Sequence, residues 1–111
     1  MIDWIRVSEL QAEVGSEAFG EVVEMFLEEV EEVTERLVTS PDQAALSDDL
    51  HFLKGSALSL GFAQFADMCH DGEKRVASQG AAAVDVSALV ECYTLSKTQF
   101  LTKLAKASAA A

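Results

Sequence analysis

Apolar residues recur every three or four positions along almost the whole chain, which is the spacing of helices that bury one face. No segment alternates apolar and polar residues as a half-buried strand would. Half of the residues are apolar but only 7% are aromatic, a composition that suits a helical core of Leu, Val and Ala. The sequence therefore predicts an all-α fold.

Start and stop signals divide this pattern into separate helices. Asp3 is placed to cap a short first helix, and Ser16 to cap a longer second one. The segment "SPDQ" supplies a cap at Ser40, a proline at the first helical position and a capping box. We expect the third helix to begin there and to run to about Leu60, and Asp85 to cap the last helix. The expected stops are Gly15, Gly61 and Gly80.

Four long amphipathic helices joined by short connections predict an antiparallel four-helix bundle, with the short first helix packed across one end. We expect a single domain over residues 1–111, because a chain of 111 residues can bury one core but not two. Within it, the short helix should span about 3–14 and the bundle about 16–107.

The charge of the chain limits its partners. There are 19 Asp and Glu residues against 8 Lys and Arg, a formal net charge of -11 at pH 7. Such a surface repels phosphate backbones and anionic lipids, so nucleic acid and membranes are unfavourable partners. The many glutamates of the second helix, Glu31 and Glu35 among them, are interpreted as a solvated helix face.

The sequence shows no sign of secretion or of membrane insertion. No apolar run approaches the roughly 20 residues of a membrane span, and the start of the chain lacks the basic and apolar regions of a signal peptide. Cys69 and Cys92 have no CxxC spacing and are interpreted as buried reduced thiols. We therefore expect a cytoplasmic protein, and nothing in the sequence demands more than a monomer.

The third helix contains the residue that most needs an explanation. With successive residues about 100° apart, His51 points more than a right angle away from the predicted core stripe, so it should project from the side of the bundle. The core stripe consists of Leu46, Leu50, Leu53, Ala57 and Leu60. The face of His51 also contains Ala44, Ser47, Asp48, Lys54, Gly55 and Leu58.

Three neighbours distinguish His51 from an ordinary surface histidine. Lys54, three residues later, places a cation on the same face and so favours the neutral imidazole, which is the nucleophilic form. Gly55 costs the helix about 1 kcal/mol relative to alanine and leaves the space beside the ring empty. Leu58 adds exposed apolar surface. A nucleophile, a nearby cation and cleared space together suggest a phosphoryl acceptor whose donor is another protein.

The segment "HFLKGSALSLG" resembles the HxxKGxxxxxG signature of histidine-containing phosphotransfer (HPt) domains, the helical-bundle carriers of two-component phosphorelays. The match holds at His51, Lys54, Gly55, Ser56 and Gly61. The order of the predicted helices also fits, so the resemblance covers essentially the whole chain. Outside the signature it extends to Asp42, Cys69 and Glu73.

The resemblance implies a role for each matching residue. His51 would be phosphorylated, attacking through Nε2 the aspartyl phosphate of a receiver domain and later passing the group to another receiver. Lys54 would offset charge on the phosphoryl group, and Glu73 would hydrogen-bond Nδ1 and leave Nε2 free. A carboxylate there would also favour the charged imidazolium, against the effect of Lys54, and the sequence leaves open which effect wins. The implied docking surface consists of Ser47, Gly55, Ser56 and Leu58.

The resemblance also implies the partners. These would be receiver domains of response regulators or of a hybrid histidine kinase, and Mg2+ would belong to the receiver, with no cofactor on this chain. The sequence has no Gly-rich phosphate loop and no ATP-binding segment, so we expect a phosphocarrier that does not phosphorylate itself. The alternative is a non-catalytic HPt-like adaptor that binds and regulates a receiver domain.

Gly72 and the acid-rich helix faces do not follow directly from this interpretation. Gly72 departs from the family pattern, which usually has a large apolar residue there, and this leaves the packing behind Glu73 open. The acid-rich faces weakly suggest a helical metal-carboxylate protein, but no second helix supplies a matching ExxH pair. We therefore interpret His70, Asp67 and Asp71 as solvated surface groups and predict no metal site.

Overall fold

The computed structural model describes the backbone of residues 1–110 and the side chains of residues 1–106, and this part of the chain is helical with no strand. The predicted antiparallel four-helix bundle with a short additional N-terminal helix is confirmed. A single 3-10 turn, Ala81–Ala83, lies in the last connection. The helices are α1 (Trp4–Val14), α2 (Ser16–Thr39), α3 (Leu46–Leu60), α4 (Ala63–Gln79) and α5 (Val86–Ala110).

The bundle closes around one apolar core. Each long helix packs on two neighbours, in the order α2, α3, α4, α5 and back to α2. All five residues of the predicted α3 stripe are buried, so the stripe is confirmed. Aromatic rings of Phe62, Phe65, Tyr93 and Phe100 meet edge to face or tilted, with centroids 5.3 to 6.0 Å apart. This core fixes which side of α3 faces outward.

Helix α1 lies across one end of the bundle, as predicted. Its cap Asp3 accepts hydrogen bonds from the backbone N–H groups of Ile5 and Arg6 through Oδ1, each at 3.1 Å. The backbone N–H of Asp3 also donates to the carbonyl of Gly61, the residue that ends α3, at 2.7 Å. Trp4 stacks on Phe100 of α5 at 5.7 Å. The short helix is therefore tied to the chain turn between α3 and α4.

Two predicted caps are wrong. Ser16 is the first residue of α2, but its side chain caps nothing, because Gly15 occupies the cap position with a φ of 86°. Ser40 ends α2 instead of starting α3, since its N–H donates to the carbonyl of Arg36 at 2.9 Å. Asp42 then accepts from the N–H of Ala44 at 3.0 Å, and this local turn competes with a helix, so α3 begins at Leu46. The cap at Asp85 is confirmed by its bond from the N–H of Ala88.

An ion pair joins the start of α3 to the end of α2. Arg36 donates two hydrogen bonds to the carboxylate of Asp49, both at 2.8 Å, in the parallel geometry that guanidinium groups favour. Asp49 is largely buried, and it lies two residues before His51. The pair therefore fixes the rotation of α3 close to the candidate site.

Candidate functional site

His51 lies on the outer side of α3, as the helical wheel predicted. Its side chain is 76% exposed, although its neighbour Leu50 is completely buried. One α3 residue therefore faces the core while the next presents an imidazole ring to solvent, which a rotation of about 100° per residue produces. A ring this open can be reached by a large partner.

Glu73 approaches the ring from α4. Its Oε1 lies 3.4 Å from Nδ1 of His51, while the glutamate side chain itself is only 20% exposed. This distance exceeds the 2.7–3.2 Å typical of N–H···O hydrogen bonds, and Oε1 is shielded from solvent without a hydrogen-bond partner among the described residues. Glu73 thus presents an unused acceptor to the inner nitrogen of His51.

Lys54 also contacts Glu73, through the other carboxylate oxygen. Its Nζ lies 3.1 Å from Oε2, and both side chains are 20% exposed. The sequence suggested that Lys54 and Glu73 act on His51 with opposite effects, whereas the structure shows that the two charges pair with each other. Lys54 therefore compensates part of the negative charge of Glu73 in the seam between α3 and α4.

This geometry distinguishes the two nitrogens of His51. Because Nδ1 faces a carboxylate, the neutral ring is expected to carry its proton there. The lone pair of the neutral imidazole is then on Nε2, in a side chain that is 76% exposed. An exposed lone pair on nitrogen can attack an electrophile that a partner brings to it.

The surface around His51 is open at three of the four residues predicted to dock a partner. Ser47, Gly55 and Leu58 are exposed, and a Cβ added at Gly55 would meet no atom within 4 Å. Ser56 does not belong to this surface, because it is only 8% exposed. Five helical residues turn the chain by about 140°, which carries Ser56 away from His51 to the edge of the core.

Gly72 explains how α4 comes so close to α3. It is buried, and a Cβ at this position would lie 3.1 Å from Cδ1 of Leu50. The missing side chain is thus replaced by a core leucine of the neighbouring helix. Because Glu73 follows directly in sequence, this close contact helps to hold its carboxylate near His51.

His70 is the neighbour of the site that sequence reasoning did not associate with it. Its Nδ1 lies 3.5 Å from Nζ of Lys54, and the side chain is exposed as predicted. The available signal was its spacing of three residues from Glu73, which places both on one face of α4. Without knowledge of how α4 rotates against α3, that spacing alone does not indicate a contact.

The described residues contain no group of three or more His, Cys, Asp and Glu side chains arranged to hold a metal ion. Both cysteines are free and buried. Burial raises the pKa of the Cys69 thiol to about 12 and also raises the pKa of Cys92. Among the helices described, none is both long enough and apolar enough to cross a membrane.

A comparison with known protein families gives the same family as the resemblance in sequence. The family model for the Hpt domain matches residues 21–109, which is most of the chain. The chain therefore belongs to the Hpt domain family, whose members carry out phosphotransfer in two-component phosphorelays and interact there with receiver domains. No curated protein and no solved structure matches it.

Proposed function

We propose that this protein is a phosphorelay intermediate that accepts a phosphoryl group on Nε2 of His51 from the aspartyl phosphate of one receiver domain and passes it reversibly to another. The observation that supports this most directly is the position of His51, an exposed ring whose Nδ1 faces the partly buried carboxylate of Glu73. Family membership supports phosphotransfer in general, and this geometry favours His51 as the acceptor.

The proposed transfer step requires no cofactor on this chain. The lone pair of Nε2 attacks phosphorus, the bond between phosphorus and the aspartyl oxygen breaks, and the electron pair leaves on the receiver's carboxylate. The ring then carries a phosphoryl group on Nε2 and a proton on Nδ1, and so becomes a cation. Oε1 of Glu73, which has no hydrogen-bond partner among the described residues, can accept the Nδ1 proton in a charge-assisted hydrogen bond.

In this proposal, Lys54 and the receiver each neutralise part of the negative charge on the phosphoryl group. Phosphoryl transfer depends mainly on positioning and on compensation of negative charge. Lys54 lies within the same cluster and can exchange part of its contact with Glu73 for the incoming phosphoryl oxygens. Mg2+ is proposed to sit in the acidic pocket of the receiver.

A transfer assay tests the proposal. The protein is incubated with a receiver domain carrying radiolabelled aspartyl phosphate, and we expect acid-labile label on the wild-type chain, none on His51→Gln, and retained label on the control His70→Gln. Undiminished label on His51→Gln would show that another residue accepts the group. A stable complex without any transfer would favour the adaptor function instead.

Glu73→Gln tests the orienting contact. The variant keeps the shape of the side chain but loses its charge, so we expect the initial rate of transfer to fall about 10- to 100-fold, the effect of losing a charge-assisted hydrogen bond of roughly 1.5–3 kcal/mol. Asp71→Asn is a matched control, because Asp71 is an exposed carboxylate on the same helix. Equal rates for the two variants would contradict a role for Glu73 in positioning His51.

A further inference from the structure

A groove runs between α2 and α5 on the side of the bundle away from His51. In the closed ring of helices the α2–α5 seam lies opposite the α3–α4 seam that holds His51 and Glu73. Two adjoining hollows of about 610 and 450 Å3 form this α2–α5 groove and share the residues at its centre. On α2 it extends from Phe19 to Thr39, about 30 Å at a rise of 1.5 Å per residue.

The α2–α5 groove has an apolar lining that is partly open to solvent. Val38 is 60% exposed and Leu101 is 41% exposed, on opposite walls. Val23 and Leu27 belong to the buried core and line the second hollow together with Leu101. Exposed apolar side chains on both walls of a groove indicate a contact surface for another molecule.

The rim of the α2–α5 groove is acidic. At its centre, Glu31 accepts hydrogen bonds from Nζ of Lys97 at 2.6 Å and from the hydroxyl of Tyr93 at 2.7 Å. Burial alone would raise the pKa of the Glu31 carboxyl, but the bonds from Lys97 and Tyr93 outweigh it and hold that pKa below its usual value. Glu31 is thus not the freely solvated acid expected from the sequence, and the charge of Lys97 is already paired.

The charges along the rim favour a basic partner. Four glutamates line the groove against one lysine, so the lining carries an excess of three negative charges. A second copy of the chain is a poor occupant, because each copy has a net charge of -11 and two such surfaces repel each other. The four glutamates are Glu24, Glu28, Glu31 and Glu35.

The helices α2 and α5, which form the walls of the groove, limit the backbone conformation of a partner that can bind there. Both are helices whose backbone groups are hydrogen-bonded internally, so the groove offers no strand edge to an extended peptide. We propose that the α2–α5 groove binds an amphipathic helix of another protein, with an apolar stripe in the groove and Lys or Arg along the side of that stripe that faces the glutamates of α2. Because the groove is opposite His51, this partner and a receiver domain can bind at the same time.

A synthetic helix tests this proposal. The probe is a peptide of about 20 residues, which matches 30 Å of groove, built from Leu and Lys with the leucines on one face. A second peptide of the same composition has its leucines spread around the helix. We expect the amphipathic peptide alone to bind saturably, with amide NMR shifts concentrated at Val38, Thr94 and Leu101.

Two substitutions of exposed leucines on α5 separate the groove from general charge attraction. Leu101→Glu should weaken peptide binding at least tenfold. Leu95→Glu should leave it unchanged, because Leu95 is 50% exposed but does not line the groove. Equal binding by the two peptides, equal effects of the two substitutions, or shifts confined to α1 and α3 would each overturn the proposal. So would self-association in sedimentation equilibrium that Leu101→Glu abolishes, since the occupant would then be a second copy.

Discussion

Replacement of Gly55 by alanine should make this protein more stable and less active. Gly55 lies in the middle of α3 on its exposed side, and its φ is not positive. A Cβ there would meet no atom within 4 Å, so alanine fits the free protein without any adjustment. Alanine is favoured over glycine in a helix interior by about 1 kcal/mol, which should raise the midpoint of thermal unfolding by about 4 °C in a domain of this size.

The same methyl group should slow phosphotransfer. If the gap at Gly55 is filled by the receiver when it closes over His51, a Cβ overpacks that interface. Overpacking by one methyl group costs about 1–3 kcal/mol, and 1.4 kcal/mol corresponds to a tenfold change in rate. We therefore expect the initial rate of transfer from a phosphorylated receiver to fall about tenfold, while thermal unfolding followed by circular dichroism shows the gain in stability.

Gly20→Ala is the matched control. Gly20 is also exposed inside a helix with no atom within 4 Å of an added Cβ, but it lies on α2. It should give a similar gain in stability and leave the transfer rate unchanged. A wild-type transfer rate for Gly55→Ala would refute the idea that the glycine provides access to His51, and a loss of stability would refute the interpretation of its free side as open space.

Three further outcomes test the fold around the site. Gly61→Ala should destabilise the protein by about 2 kcal/mol or more in denaturant titration, because Gly61 has a φ of 89° and its Cβ would lie 2.8 Å from the carbonyl oxygen of Asp3; a neutral effect would contradict that contact. Asp49→Asn should lower the thermal midpoint by a few degrees more than Asp48→Asn at the exposed neighbouring position, and equal shifts would show that the partly buried ion pair of Asp49 with Arg36 does not stabilise α3. Because the folded state raises the pKa of Cys69 from 9.0 to about 12, the thiol keeps its proton longer in the folded than in the unfolded chain. Stability should therefore fall between about pH 9 and pH 12, by up to about 1.4 kcal/mol per pH unit from this group, and an equal slope in Cys69→Ala would assign the loss to other groups.

Periodicity was sufficient to predict the bundle and the outward position of His51. The leucines of α3 repeat with the helical period, and a stripe of this kind can be buried in only one rotation of the helix. Once Leu50 and Leu53 face the core, the direction of His51 follows from the angle between residues. The same reasoning explains the error at Ser56, which was assigned to the docking surface from its place in the signature and not from its angle.

The contacts between helices could not be predicted from the sequence. Which oxygen of Glu73 meets Lys54 depends on how α4 is rotated and shifted against α3, and that placement is set by Gly72 and Leu50. The local start signals at Ser40 also failed, because a cap sequence states that a helix can begin there but not that the preceding helix has already ended. Packing between helices decided the first case, and the local turn at Asp42 decided the second.

Lys54 and Glu73, which the sequence assigned opposite effects on His51, form an ion pair with each other. A lone carboxylate beside His51 would favour the imidazolium, which cannot act as a nucleophile. With Oε2 bound by Lys54, only Oε1 of Glu73 faces Nδ1 of His51. In the proposed reaction the phosphorylated ring becomes a cation with a proton on Nδ1, and a hydrogen bond from that proton to Oε1 would stabilise the phosphorylated protein.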